Sequence, residues 1–292
     1  MDKQKKLRLG RKLVQGLSAL AQNPHLTGFA RGTIYTGRLK QFCTPGLNCY
    51  SCPAAAGACP IGSLQAVLGG KHRFPFSVVG FLSLIGLLVG RLVCGWLCLF
   101  GLLQELLYRI PAPKLKLNER TDRRLRKLKY LLLIVAVFLL PAVTSAAGGG
   151  AVPYFCKYVC PAGTVEGGIP LLLLQNALRT AVGWLFAWKL LVLLAILVLS
   201  VFIYRPFCKY LCPLGAFYAI FQKFSVLRLA RDPALCTDCG VCAKRCKMGV
   251  DPAREPNSPE CIRCGACTAA CPAKALKFTV SPKKKPKDSP CG

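Results

Sequence analysis

The stretch FCKYVCPAG at 155–163 returns as FCKYLCPLG at 207–215, with seven of nine positions identical and both differences swapping one apolar residue for another. A cysteine phrase written twice around one long apolar segment restricts the chain to folds that carry duplicated thiols to matching places. Its core, Cys-x-x-Gly, recurs through the apolar part of the chain at Cys59, Cys98, Cys160 and Cys212. Three cores have a second cysteine four residues earlier, at Cys94, Cys156 and Cys208. The first has Ala55 in that place, with Cys49 and Cys52 further upstream.

The apolar segments between these phrases set the fold class. The chain is 53% hydrophobic, yet holds 40 Lys+Arg against 11 Asp+Glu, a formal charge of +29. Much of that charge flanks apolar stretches instead of clustering on a soluble module, which points to a membrane protein and away from nucleic acid. Residues 13–30 form a weak candidate span with an amphipathic surface helix as the alternative, 74–93 a span broken by Arg91, 130–147 a span that Pro141 kinks, and 183–204 the clearest span. The apolar run 169–178 is too short to cross and reads as re-entrant or interfacial. Basic stretches at 1–12 and 109–129, together with the C-terminal region, are expected on the cytoplasmic side. That favours four crossings with both ends inside. The predicted class is mainly α, multi-pass and internally duplicated, with an α+β C-terminal domain.

Four crossings distribute the cysteines. Cys94, Cys98, Cys208 and Cys212 gather at the inner face, two from each half. Four thiolates are what one [4Fe–4S] cubane requires. The outer face receives Cys43, Cys49, Cys52, Cys59, Cys156 and Cys160, more than one cluster needs. The repeat favours Cys52, Cys59, Cys156 and Cys160, with Cys49 the rival of Cys52; disulfides are the alternative for these outer thiols. Pro60, Pro161 and Pro213 suit the first position of helices whose positive ends would face an anionic centre. Arg91, Lys157, Arg205 and Lys209 lie near enough in sequence to offset its charge, although Arg91 also reads as a snorkelling side chain.

The C-terminal motif is the most specific. CTDCGVCAKRC (236–246) and CIRCGACTAACP (261–272) each give C-x2-C-x2-C-x3-C, the bacterial run whose fourth cysteine serves the other cluster. The expected sets are Cys236, Cys239, Cys242 and Cys271 for one cluster, and Cys261, Cys264, Cys267 and Cys246 for the second. Lys247 stands where proline often follows the fourth cysteine. Zinc sites pair C-x2-C units at longer separations. His25 and His72 are too few and too far apart for haem, and Cys291 reads as a free thiol.

Membrane CxxxCP phrases followed by a double-cluster run resemble the NapH/NosR-type membrane polyferredoxins, over nearly the whole chain; Leu99 departs from the pattern. The resemblance implies an integral membrane electron carrier exchanging electrons with quinone or a partner such as a ferredoxin or oxidoreductase. It fits two [4Fe–4S] clusters in the C-terminal domain and one or two more in the membrane part. No nucleophile–base pair or dinucleotide fingerprint appears, so an electron-transfer subunit is expected more than a stand-alone enzyme. A membrane redox sensor is the rival, and no output domain is evident for it. The expected organisation is a basic tail (1–12), a first membrane half-repeat (13–108) with an outer cysteine segment (43–62), a basic loop (109–129), a second half-repeat (130–225), a ferredoxin domain (226–278) facing the cytoplasm and a disordered basic tail (279–292).

Overall fold

The computed structural model describes residues 3–70, 75–115, 117–180 and 182–280. His72, with its neighbours Lys71 and Arg73, lies outside them, as does Cys291 with the tail from 281. Among the described residues two helices are long and apolar enough to cross a membrane, Glu119–Ala146 and Trp184–Phe202. At 1.5 Å per residue the second, of 19 residues, is about 28 Å long, close to the hydrocarbon thickness of a bilayer. Leu191, Leu194 and Val198 stand exposed along it, as expected of a surface that meets lipid instead of water. In Glu119–Ala146, Asn118 caps the first turn by accepting from the Arg120 N–H, and Glu119 and Asp122 complement the positive end. A π-helical stretch over Leu133–Leu139 runs up to Pro141, whose ring and missing N–H disturb the regular ladder.

The segment 13–30 departs from the expected span. Its residues are divided between a helix Lys3–Gln22 and a short helix Thr27–Arg31, with Pro24 in the break. The longer helix is amphipathic in an inverted sense. Leu9, Leu13, Leu17 and Leu20 are 54–65% exposed on one face. Arg11 and Gln15 are buried on the other, where Gln15 Nε2 donates to the Gly95 carbonyl at 3.1 Å and Ser18 Oγ to that of Leu97 at 3.2 Å. The amphipathic alternative is therefore the one adopted: polar groups bind the protein and the leucine stripe faces outward. The expected span at 74–93 is a shorter apolar helix, Phe76–Val89, ended by Gly90 at a φ of +54°. Arg91 then turns inward and is fully buried, so it does not snorkel.

The four Cys-x-x-Gly cores share one local structure. Cys59, Cys98, Cys160 and Cys212 each hold an extended backbone with ψ between 110° and 126°, and a helix starts at the next residue. Pro60, Pro161 and Pro213 occupy the first helical position at three of them, and Leu99 takes it at the fourth. The short apolar run after the third core belongs to one apolar helical stretch, Pro161–Leu174. In the C-terminal unit, strands Leu227–Arg231 and Leu276–Val280 pair antiparallel, with Leu227 opposite Val280. Two short helices, Val241–Arg245 and Ala266–Ala270, lie between them in sequence and pack together.

Candidate metal centres

The cysteines gather in four places. In the C-terminal unit, Cys236, Cys239, Cys242 and Cys271 line one cavity of about 360 Å3, and Cys246, Cys261, Cys264 and Cys267 line a second of about 20 Å3. Gly240 and Gly265, at φ +68° and +75°, begin the short helices beside them. Only glycine takes this backbone without penalty.

The set expected at the inner face, Cys94, Cys98, Cys208 and Cys212, is buried within one core. Burial, followed by the Cys208 and Cys94 thiols, pushes the Cys98 thiol up to about 12. Gln104 makes a fork: its Oε1 accepts from the Phe207 N–H at 3.1 Å and its Nε2 donates to Cys208 Sγ at 3.1 Å. Two arginines act reciprocally. Arg91, three residues before Cys94, donates to the Cys208 carbonyl at 3.2 Å. Arg205, three before Cys208, donates to the Cys94 carbonyl at 2.5 Å and holds a left-handed φ of +50°. Both guanidiniums are fully buried and paired, Arg91 with Glu260 at 3.0 Å and Arg205 with Glu105 at 2.7 Å. Lys129 joins Glu260 at 2.6 Å, and Lys209 pairs with Asp122 at 2.6 Å.

The outer cysteines Cys43, Cys49, Cys59, Cys156 and Cys160 line a cavity of about 790 Å3 with Lys189 at its wall. Cys52, favoured from the repeat, does not line it; it packs with Ala54, Ala55 and Phe29, while Cys49 faces the cavity. Burial and the neighbouring Cys59 thiol push Cys156 up to about 12. The glutamine fork is repeated: Gln65 Oε1 accepts from the Phe155 N–H at 2.9 Å and Nε2 donates to Cys156 Sγ at 3.3 Å. Glu166 accepts from the Cys49 N–H at 2.6 Å, and burial pushes its carboxyl up to about 7.

Sequence reading missed Gln65, Gln104, Glu166 and Tyr218, although a signal was present. Each follows the first cysteine of a Cys-x-x-Gly core by six residues, at Cys59, Cys98, Cys160 and Cys212 respectively. The Glu166 contact also explains Cys49. It marks Cys49 as the spatial counterpart of the cysteine that the first core lacks four residues upstream.

The donor sets suit a multi-iron centre. Every described cysteine is a free thiol. Among the described residues no group of three or more His, Cys, Asp or Glu is placed to hold a single metal ion. Around Cys236, Cys239, Cys242 and Cys271, and in the outer site, the thiols instead surround a space, which a cluster needs and a mononuclear zinc does not. Crowded buried thiols resist ionisation, and bound iron reverses that by supplying positive charge.

Neighbouring sites are in direct contact. Gly95 lies so close to the Ile262 carbonyl that a Cβ has no room. Trp96 Nε1 donates to the Arg263 carbonyl at 3.0 Å, and Gln222 Nε2 to that of Cys261 at 2.9 Å. The inner cysteines thus abut the loop carrying Cys261 and Cys264. Between inner and outer sites stands Tyr218, fully buried, its hydroxyl donating to the Pro45 carbonyl at 2.8 Å. Burial opposes its ionisation, and thiols of both sites, Cys94 and Cys212 from one and Cys59 and Cys43 from the other, add to that.

The family described as "4Fe-4S binding domain" matches residues 57–78, 72–118, 130–172 and 184–231. A Methanocaldococcus jannaschii protein, MJ0750, described as uncharacterised, is 33% identical over 68% of this chain and 76% of its own length. The putative electron transport protein YccM of Escherichia coli is 32% identical over 67% of this chain and 53% of its own length. The regulatory protein NosR of Pseudomonas aeruginosa is 31% identical over 62% of this chain and 24% of its own. No solved structure is a significant match. The chain belongs to the 4Fe-4S binding domain family, as a membrane polyferredoxin of the NapH/NosR type.

Proposed function

We propose that this chain is an integral membrane electron carrier holding four [4Fe–4S] centres in series. Cys236, Cys239, Cys242 and Cys271 hold the first, and Cys246, Cys261, Cys264 and Cys267 the second. Cys94, Cys98, Cys208 and Cys212 hold the third; Cys49, Cys59, Cys156 and Cys160 hold the fourth. When bound, such a cluster supplies a one-electron centre whose potential its surroundings tune. The observation that carries the reading is contact in sequence: Gly95 and Trp96 on Ile262 and Arg263, then Tyr218 between the inner and outer thiols.

The residues divide the work. The Arg91–Glu260 and Arg205–Glu105 pairs set buried guanidiniums, each with a carboxylate partner, beside the inner thiols. Gln104 and Gln65 each donate to one cysteine sulfur and orient the backbone before it. The C-terminal unit faces the cytoplasm and meets a soluble redox partner there, while the outer cavity faces a second donor or acceptor, a quinone or a partner oxidoreductase.

Anaerobic purification with iron and sulfide analysis tests this. Four centres require about 16 irons per chain, whereas the C-terminal unit alone gives about 8. Cys94→Ala or Cys208→Ala should remove one EPR signal in a redox titration and spare the two C-terminal ones. About 8 irons in the wild-type protein, or all signals intact in both variants, would sink the reading.

A further inference from the structure

A second kind of cavity lies where the helix Lys3–Gln22 meets the C-terminal unit, and cations outnumber the two thiols, Cys246 and Cys264, in its lining. Its volume is about 250 Å3. Six cations line it: Arg8, Arg11 and Lys12 from the helix, Arg109, and Arg245 with Lys247 from the C-terminal unit. Glu105 is the one acidic lining residue, and Arg11, Arg205 and the Tyr204 hydroxyl already engage it at 2.5, 2.7 and 2.5 Å. The carboxylate is spent, and the surplus of positive charge faces the cavity.

Two donors at this cavity have no partner among the described residues. Arg11 is only 8% exposed; its NH2 binds Glu105, while its buried NH1 donates to nothing. The Lys12 Nζ is buried and likewise unpartnered. An orphaned buried donor on a cation costs more than a neutral one, so such groups are normally answered by a ligand or water. Desolvation, then the proximity of Arg109, Arg11 and Arg8, lowers the Lys12 ammonium below the ordinary lysine range. Cys264 is among the charges acting on Arg11, whereas the leading ones on Lys12 are Arg109, Glu105, Arg11 and Arg8, so Lys12 is the cation that best separates this cavity from the cluster site.

We infer that this cavity is a binding site for a phosphate-bearing anion, taken as a phospholipid headgroup or as a free phosphoester. The size suits a headgroup or diphosphate, being below the usual range of drug-sized pockets. A guanidinium fork and recessed ammonium match the several oxygens of a phosphate, and a flat protein surface could not reach donors set so deep. Basic pockets at the cytoplasmic end of membrane helices are a known setting for anionic headgroups. The site does not depend on the electron path. It lies beside Cys246 and Cys264 without using their sulfur.

The test uses holoprotein in phosphatidylcholine nanodiscs at low ionic strength, titrated calorimetrically with inorganic pyrophosphate, and counts phosphatidylglycerol retained from the purification. Saturable pyrophosphate binding, or retention of about one phosphatidylglycerol per chain, supports the site. Lys12→Gln removes no protein contact and should weaken either by about tenfold, the size of one charge-assisted hydrogen bond, while Lys127→Gln, on the exposed face of Glu119–Ala146, should not. Discs containing phosphatidylglycerol separate the sources: a headgroup blocks pyrophosphate there, and a free anion binds equally in both. Absence of both binding and retained lipid overturns the proposal. So does pyrophosphate affinity unchanged in Lys12→Gln, whether or not a cluster potential moves. Polyglutamate binding as tightly as pyrophosphate overturns it in favour of an acidic protein partner.

Discussion

The inner and outer cysteine sites are built from the same phrase and end in opposite surroundings. At the inner site, buried arginines from each half clasp the backbone of the other, and each arginine has its own carboxylate. At the outer site the thiols border a cavity of about 790 Å3, and the buried carboxylate Glu166 forms no ion pair among the described residues. Duplication therefore copies the ligands and the glutamine fork, but not the charge around them. The inner site is closed and internally neutralised; the outer one is open and suited to exchange with something that enters.

The largest contrast to break is at the outer ligand choice. Cys49→Ser is expected to abolish the outer EPR signal and remove about 4 irons, while Cys52→Ser leaves both unchanged. The reverse result would restore Cys52 to the ligand set and undo the parallel between Glu166 and the two glutamines. Next comes charge. Arg205→Leu removes one of the two guanidiniums that neutralise buried Glu105, leaving Arg11, and should cost about 3 kcal/mol in chemical denaturation of the anaerobic protein. An equal loss from Lys189→Leu at the outer cavity would erase the distinction between a neutralised and an open site.

The same ion pair gives a pH dependence. Burial opposes ionisation of Glu105, yet Arg205 and Arg11 hold its carboxyl below the ordinary value of 4.5. A group depressed in this way stabilises the fold above its unfolded pKa and loses that contribution as pH falls through the folded value. Stability should therefore decline on acidification below about 4.5, and Arg205→Gln, by removing a charge that holds the carboxyl down, should shrink this acid limb. An acid limb of undiminished size would remove Glu105 from the account.

The glutamine forks sharpen the comparison in the other direction. Gln104→Leu and Gln65→Leu each orphan a backbone N–H, of Phe207 and Phe155, so each should cost about 1–3 kcal/mol. Each also removes a donor to sulfur and should lower the midpoint of its own signal alone. If either variant shifts both signals, or neither does, the forks are not equivalent. The smallest effect belongs to Tyr218→Phe. It deletes one hydrogen bond to Pro45 and should cost about 1 kcal/mol while preserving all four signals. Loss of either membrane signal would make Tyr218 a determinant of the sites and not a spacer between them.

Legibility in the sequence followed the range of each interaction. Spacing within a run is local, so the two C-terminal cysteine sets could be written down at once, and the structure gathers those same sets around two cavities. The start of a helix right after Cys59, Cys160 and Cys212 was legible for the same reason, since proline at the first helical position acts over one turn. The helix Lys3–Gln22 was harder. Its 13–22 half has the composition of a span, and only contacts from Gln15 and Ser18 to the distant Gly95 and Leu97 show which face turns inward.

The sequence by itself determined which cysteines come in matched sets and where the backbone must turn to present them, because both depend on neighbours a few residues away. Tertiary structure alone decided that Cys49 and not Cys52 borders the outer cavity, and that Arg91 is buried. It also decided that six cations converge on one unfilled pocket. Those outcomes rest on side chains 80 or more positions apart meeting in a low-dielectric interior, where partner and geometry set the cost of every charge.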